Sequence, residues 1–180
     1  MNVVTLADQT TYMVDVGYGG DGPTNPLPLA AGVVTPNTGT QEMRLLYGNM
    51  PGLTHRQKSL WTYQFRNAAD QPWKSGYAFY EIEFCQRDFE VMNFYTSQNR
   101  SCFLTYHLLV IKFLQRESKV YGKIILDQNK VKENVGGKNI SIKTCETEEE
   151  RVKVLHDYFG ISLTRDEKCA IRGKPSALSC

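Results

Sequence analysis

The sequence predicts an α+β fold built on antiparallel sheet. Three observations carry this reading. Short runs of alternating apolar residues recur along most of the chain, one well-capped helical segment comes late, and the long βαβ crossovers that a parallel sheet requires are missing.

The elements follow in order. Residues 2–6 and 11–16 read as two short strands, joined by Ala7-Asp8-Gln9-Thr10, a polar connection of hairpin length. Gly17-Tyr18-Gly19-Gly20-Asp21-Gly22-Pro23 stops the second strand, and Pro23, Pro26, Pro28 and Pro36 forbid a helix through residues 23–36. That stretch is predicted to be a long irregular loop, a feature that compact domains often use for function. Leu60-Trp61-Thr62-Tyr63-Gln64-Phe65 alternates, as does the run 77–84 from Phe79 onward, with turn chemistry between them at Asn67-Ala68-Ala69-Asp70-Gln71-Pro72. Residues 88–94 predict a short helix with Phe89, Met92 and Phe94 on its inner side. The runs 104–114, 120–126 and 139–144 read as a meander of strands. Thr147-Glu148-Glu149-Glu150 fits a capping box, with three carboxylates placed favourably at a helix N-terminus. Val152, Leu155 and Phe159 then recur at helical spacing, and Gly160 supplies a left-handed C-cap. A boundary over residues 86–100 divides the chain into a first part, 1–85, and a second, 101–180.

Composition narrows the function classes. Hydrophobic residues make up 41% and charged residues 22% of 180, which is ordinary globular composition. No apolar run reaches the length of a membrane-spanning helix, and the first twelve residues lack the pattern of a secretory signal. Five scattered cysteines without a C-x-x-C pair argue against a disulfide framework and a cysteine zinc site, and point to a reducing, cytoplasmic compartment. The net charge of +2 calls for no nucleic acid. Residues 1–90 nonetheless carry −3 and residues 91–180 carry +5, so the second half either presents a solvated basic surface or faces an anionic small ligand. The Gly136-Gly137-Lys138-Asn139 stretch matches a phosphate loop only superficially, since Lys132 stands where the first glycine belongs and Asn139 replaces Ser/Thr.

Asp15 is the most informative single residue. It ends the apolar run Tyr12-Met13-Val14-Asp15-Val16 just before a glycine-rich turn, and would sit inside the fold if Met13 faces out. A carboxylate in that position either caps the turn or orients a histidine, as in a nucleophile–His–Asp triad.

The segment Tyr12-Met13-Val14-Asp15-Val16-Gly17-Tyr18-Gly19-Gly20 with Pro26-Leu27-Pro28-Leu29 resembles the V-D-V-G-F-G-G … P-L-x-L segment of arylamine N-acetyltransferases, most closely the fungal branch. The likeness continues through Phe89-Glu90-Val91-Met92-Asn93-Phe94-Tyr95-Thr96-Ser97 and Ser101-Cys102-Phe103 to Phe159-Gly160-Ile161-Ser162-Leu163, across nearly all of the chain. The resemblance implies a cysteine-proteinase-like superfold with a helical bundle, a β-barrel domain and an α/β lid, of which this chain resembles the barrel and lid. It implies a Cys–His–Asp triad whose thiolate takes acetyl from acetyl-CoA and passes it to a small-molecule arylamine, arylhydroxylamine or hydrazine; no metal, nucleic acid or membrane takes part. Carried over by position, Asp15 matches the triad acid and Tyr18 a position lining the acceptor pocket. Gly17 and Gly19 match glycines that let the backbone approach the site. Thr96, Ser97 and Ser101 match a hydroxyl-bearing loop that contacts CoA.

The departures from the family pattern are equally specific. The family nucleophile lies in an R-G-G-x-C-F-E-type segment, and the triad histidine precedes the acid by one hairpin; neither occurs in the 180 residues. The expectation is therefore an N-terminally truncated chain, with Met1 internal to a longer gene product. Three readings stay open: a piece of an acetyltransferase, a non-catalytic CoA-binding or interaction remnant, and a hydrolase using Cys102 or paired carboxylates. Against the last, Cys102 and His107 are five apart on or near one strand and would point to opposite faces. His55 reads as a surface residue, and His156 as a residue at the edge of the late helix's buried face.

Overall fold

The computed structural model describes residues 1–50, 52–54 and 59–179, and the reading of His55 therefore lies outside the described residues. The chain forms two compact units. The first comprises Met1–Ile82 with Leu114–Gly122 and Val135–Lys138; the second comprises Glu83–Phe113, Lys123–Asn134 and Asn139–Cys180.

In the first unit, β1 (Asn2–Thr5), β2 (Thr11–Val14) and β3 (Leu27–Pro28) form one antiparallel sheet. The hairpin pairs Thr5 with Thr11, and Gln9 takes a positive φ in the turn. A second antiparallel sheet has the order β4 (Thr35–Pro36), β5 (Glu42–Gly48), β6 (Leu60–Arg66), β7 (Lys74–Phe79). The pairings among the described residues form two open sheets and do not join them into a closed barrel. Period-two alternation turns Met43 and Leu45 of β5 and Trp61, Tyr63 and Phe65 of β6 inward, where they meet Met13 and Leu27 of the first sheet. Each such fully buried side chain contributes about 1.5–3 kcal/mol.

Two expectations are corrected here, the first being the irregular loop over residues 23–36, which contains the two-residue strands β3 and β4. The run 77–84 is a strand only to Phe79; β7 starts earlier, at Lys74, and the chain then leaves the sheet. Glu81 instead accepts the indole N–H of Trp61 at 2.7 Å, satisfying a donor that would otherwise be stranded. β5 has no counterpart in the sequence reading, because Leu45-Leu46-Tyr47 interrupts the alternation.

In the second unit, α1 (Gln86–Gln98) extends well beyond the expected residues 88–94. Asp88 starts it by accepting from the Cys85 N–H at 2.9 Å. The predicted inner face is wrong: Phe89, Met92 and Phe94 are 56%, 43% and 69% exposed, and α1 has no buried residue. The run 104–114 is likewise not one strand. Phe103–Thr105 is a single 3₁₀ turn, and β8 (Leu109–Arg116) starts after it. Thus Cys102 and His107 flank that turn rather than alternating along a strand: Cys102 is its buried N-cap, while the His107 ring meets Asp127 at 2.8 Å.

A meander of β8, β9 (Lys119–Asp127), β10 (Lys130–Val135) and β11 (Lys138–Thr144) follows in the order β11-β10-β9-β8. β10 escaped the sequence reading because Lys130-Val131-Lys132-Glu133-Asn134-Val135 buries a single residue, Val131. Gly136 and Gly137 make the hairpin turn between β10 and β11 with φ of 62° and 74°, which accounts for the glycine pair. Helix α2 (Glu148–Phe159) starts at Thr147, whose hydroxyl accepts from Glu150 N, and ends at Gly160 with φ 72°. The capping box differs in its second half: the Glu150 carboxylate reaches past the cap to Glu146 N at 2.8 Å. Val154 and Leu155 bury against Leu126, Val131 and Cys145 to form this unit's core. A five-residue helix, α3 (Arg165–Cys169), follows.

Phe89, Val91, Met92, Phe94 and Tyr95 of α1 are all exposed, as are Phe84, Phe103 and Leu104, and so much exposed apolar area favours association. The chain alone is expected to self-associate at micromolar concentration. Light scattering checks this, and a monodisperse monomer with a cooperative melt would contradict it.

Candidate active site

Asp15 lies one residue beyond β2, half-buried, at the mouth of the glycine turn. The conditional placement of this residue reverses in detail. Met13 faces the core, fully buried, and Asp15, two residues on, points the same way. Oδ1 accepts the Gly17 N–H at 2.9 Å and the Tyr18 N–H at 3.2 Å, so the carboxylate caps its own turn. The Tyr77 hydroxyl donates to Met13 Sδ at 3.4 Å and also acts electrostatically on the Asp15 carboxylate.

These contacts set the charge state. Burial pushes the Asp15 pKa up, but the Tyr77 hydroxyl, the Gly17 amide, the N-terminal ammonium of Met1 and the Tyr18 amide together outweigh it and hold the carboxyl below the ordinary 3.8. The same environment pushes Tyr77 up, first through burial and then through Asp15, so that it stays a neutral donor. Because the folded value is depressed, the stability that Asp15 contributes is present above the unfolded aspartate pKa. It is lost as pH falls through the lower folded value. Tyr77→Phe removes the hydroxyl and is expected to raise the Asp15 pKa, which a carbon-detected carboxyl titration by nuclear magnetic resonance measures. An unchanged value would show that Tyr77 does not help to hold the charge.

The walls around Asp15 are aromatic. The Tyr18 ring sits 5.1 Å from Tyr77 and 6.1 Å from Tyr63, centroid to centroid, and is 43% exposed. Gly76 is what admits Tyr18: a Cβ there would lie 2.9 Å from Tyr63 Cδ1 and 3.2 Å from the Tyr18 hydroxyl oxygen. Gly19 holds φ 80°, a conformation side chains rarely adopt, whereas a Cβ on Gly17 would meet Asp15 Oδ1 at an ordinary 3.7 Å. The rest of the loop is pinned from below. Tyr63 donates its hydroxyl to Asp21 O at 2.7 Å, and Asn37 Nδ2 donates to Gly22 O at 3.0 Å and to Gln41 Oε1 at 2.7 Å. Asn37 also accepts from the Thr24 amide and hydroxyl.

Asp15, Gly17, Tyr18 and Gly19 therefore stand together in the first unit, joined by Tyr63 and Tyr77. Sequence reasoning left out these two tyrosines: Tyr63 lay in an alternating run with no face assigned, and Tyr77 lay ahead of the alternation read from Phe79. Thr96, Ser97 and Ser101 stand in the second unit. Thr96 and Ser97 are in the last turn of α1 rather than on a loop, where their hydroxyls donate to the carbonyls of Met92 and Asn93. Ser101, in the following loop, donates to Asn99 Oδ1 at 2.7 Å.

The remaining candidates divide cleanly. His107 joins Asp127, which also accepts from Lys132 Nζ at 2.9 Å, in a charged cluster. His156 is largely exposed beside Asp157 rather than at the edge of the helix's buried face. Cys85, Cys102, Cys145 and Cys169 are free thiols. Among the described residues, no group of three or more His, Cys, Asp or Glu is placed to hold a metal, and no helix is long and apolar enough to cross a membrane.

Comparison with known proteins gives a consistent result. A family model described as N-acetyltransferase matches residues 1–168. The chain is 33% identical over 178 residues to "N-malonyltransferase FDB2" of Fusarium pseudograminearum (strain CS3096), covering 93% of this chain and 52% of that protein. It is 35% identical over 176 residues to the protein of the same name from Gibberella moniliformis, covering 92% and 50%. The chain thus spans about half the length of the curated relatives it matches. Among solved structures, the arylamine N-acetyltransferase of Salmonella typhimurium superposes with TM-score 0.74 at 24% identity, covering 94% of this chain and 58% of the other. The Mycobacterium marinum arylamine N-acetyltransferase in complex with CoA gives 0.70 at 24%, covering 96% and 55%.

Proposed function

The chain belongs to the arylamine N-acetyltransferase family, and on that basis we propose that it forms the acid-bearing part of an acyl-CoA-dependent N-acyltransferase. The 180 residues contain no Arg-Gly-Gly-x-Cys segment and no histidine ahead of Asp15, and the proposal assigns the nucleophile and base to a portion other than these residues. In this reading the thiolate attacks the acyl-CoA carbonyl and the CoA thiolate leaves. The amine then attacks the acyl-cysteine, the cysteine sulfur leaves, and the imidazole takes the amine's proton. Asp15 accepts from the imidazole N–H, fixes its tautomer and stabilises the imidazolium.

The observation that carries the proposal is the Asp15 carboxylate, held ionised by Tyr77 and two backbone amides beside the open face of Tyr18. Tyr18 offers an aromatic wall to a flat arylamine or to a hydrazine. The acyl group is acetyl by family, or malonyl by analogy with the names of the fungal relatives. Thr96, Ser97 and Ser101 are proposed to meet the CoA arm by exchanging their present intramolecular hydrogen bonds for ligand oxygens. The proposed division of labour keeps the acid in residues 1–85, the connecting segment in 86–100 and a lid in 101–180. The test joins this chain to the cysteine- and histidine-bearing portion of a fungal relative and measures CoA release with arylamine present.

The lack of the family nucleophile among these residues also favours a second reading, a non-catalytic CoA-binding remnant. Calorimetric titration separates the two: the chain alone is expected to bind CoA weakly and more weakly still as Thr96→Ala. Tight binding that ignores Thr96→Ala would overturn the assigned contacts.

A further inference from the structure

The face of the β4–β7 sheet opposite Tyr63 carries a charge arrangement that the proposed chemistry does not use. Alternation along β6 puts Gln64 and Arg66 on that face, and cross-strand pairing sets Arg44 beside Gln64, Glu42 beside Arg66 and Ser75 beside Gln64. Arg44 lies over the Trp73 ring with its Cζ 4.0 Å from the ring centroid, and Arg66 over the same ring at 4.5 Å.

The two guanidiniums differ in how their charge is met. Arg66 directs Nε and Nη2 onto Glu42 Oε2, each at 2.6 Å. Arg44 directs Nε and Nη2 onto the neutral amide oxygen of Gln64, at 3.0 and 2.9 Å. Among the described residues no carboxylate pairs with Arg44, and Nη1 of both arginines is left without a partner. Gln64 Nε2 donates to Ser75 Oγ at 3.2 Å, which leaves the Ser75 hydroxyl proton to point elsewhere. Two half-buried like charges with one counter-charge between them form an unbalanced cluster. Burial and the Arg66 charge both press the Arg44 pKa downward, the signature of a cation that an added anion would stabilise.

We propose that Arg44, Arg66, Ser75 and Trp73 form a binding site for a small oxyanion, a phosphate or carboxylate group, on the sheet face opposite Asp15. Trp73 contacts both guanidiniums, at 4.0 and 4.5 Å, which restrains the two side chains and lowers the freedom lost when their Nη1 groups make charge-assisted hydrogen bonds. The Ser75 hydroxyl supplies a neutral donor beside them. Because Tyr63 and Gln64 are successive residues on opposite faces of β6, a ligand here does not contact the Asp15 carboxylate.

The test reads the ligand, so self-association of the chain does not interfere. Inorganic phosphate is titrated with the 180-residue chain at constant ionic strength, and the phosphorus resonance linewidth is followed. The site predicts saturable broadening that falls about tenfold in affinity with Arg44→Gln, the usual weight of a charged hydrogen bond. Ser75→Ala, which disturbs neither ion pair nor stacking, predicts a smaller loss in the same direction. Acetate added in competition distinguishes the sources: release of phosphate supports a site open to carboxylates, and retention supports one selective for phosphate. Broadening that never saturates, or that is equal in the parent chain and in Arg44→Gln with an unchanged circular dichroism spectrum, overturns the proposal.

Discussion

Arg151→Ala is expected to cost about 3–5 kcal/mol of stability in the second unit, the usual penalty for breaking a buried ion pair from one side. Arg151 is 1% exposed on α2 and spends every nitrogen of its guanidinium. Nε and Nη2 engage both oxygens of Glu148, and Nη1 donates to Ser176 O at 2.9 Å and Gln128 O at 3.3 Å. Glu148 also accepts the Leu178 N–H at 2.8 Å, so one pair ties the start of α2 to the C-terminal segment and to the β9–β10 turn. Alanine leaves a poorly solvated carboxylate and two carbonyls without their donor. Urea denaturation followed by circular dichroism measures the change. The double variant Glu148→Gln with Arg151→Met is expected to lose clearly less than the two single losses combined, since it leaves no unpaired charge. Additive losses would show that the two side chains act independently.

What the sequence revealed about this fold divides by range. The ends of α2 were legible because Thr147 and Gly160 act on amides and carbonyls within a few residues of themselves. The β1–β2 hairpin was legible for the same reason, with its turn chemistry lying between its own strands. The face of α1 was not: its apolar residues are spread around the helix, and which of them is covered depends on parts of the fold that spacing alone does not describe. The hydroxyls expected to contact CoA show a related limit. Thr96 and Ser97 read as loop residues, but their hydroxyls fold back on the carbonyls of Met92 and Asn93 and let the helix run four residues past Phe94. For the candidate site, Asp15 and its turn were legible as a local unit. Its partner Tyr77 was not, because a contact across 62 residues arises only when β7 is laid beside β6 and Gly76 leaves room for Tyr18.

The second large effect is catalytic and concerns Asp15. In an enzyme completed with the cysteine- and histidine-bearing portion of a fungal relative, Asp15→Asn keeps the turn, since its amide oxygen can still accept from Gly17 and Tyr18. It removes the charge that holds the imidazole in the correct tautomer and stabilises the imidazolium. In triad enzymes that single change lowers turnover about 10⁴-fold with geometry intact. The loss should fall on turnover more than on acceptor affinity, because Tyr18 and its aromatic neighbours are untouched. The 180-residue chain alone is expected to show no turnover, since loss of a triad nucleophile costs on the order of a millionfold.

The most direct test is therefore the rate of CoA release from acetyl- or malonyl-CoA with an arylamine acceptor, measured for the completed enzyme and for its Asp15→Asn variant. Turnover is expected in the first, and a loss of about 10⁴-fold in the second. Equal rates in the two would contradict the role given to Asp15, and a folded but inactive completed enzyme would favour the non-catalytic reading.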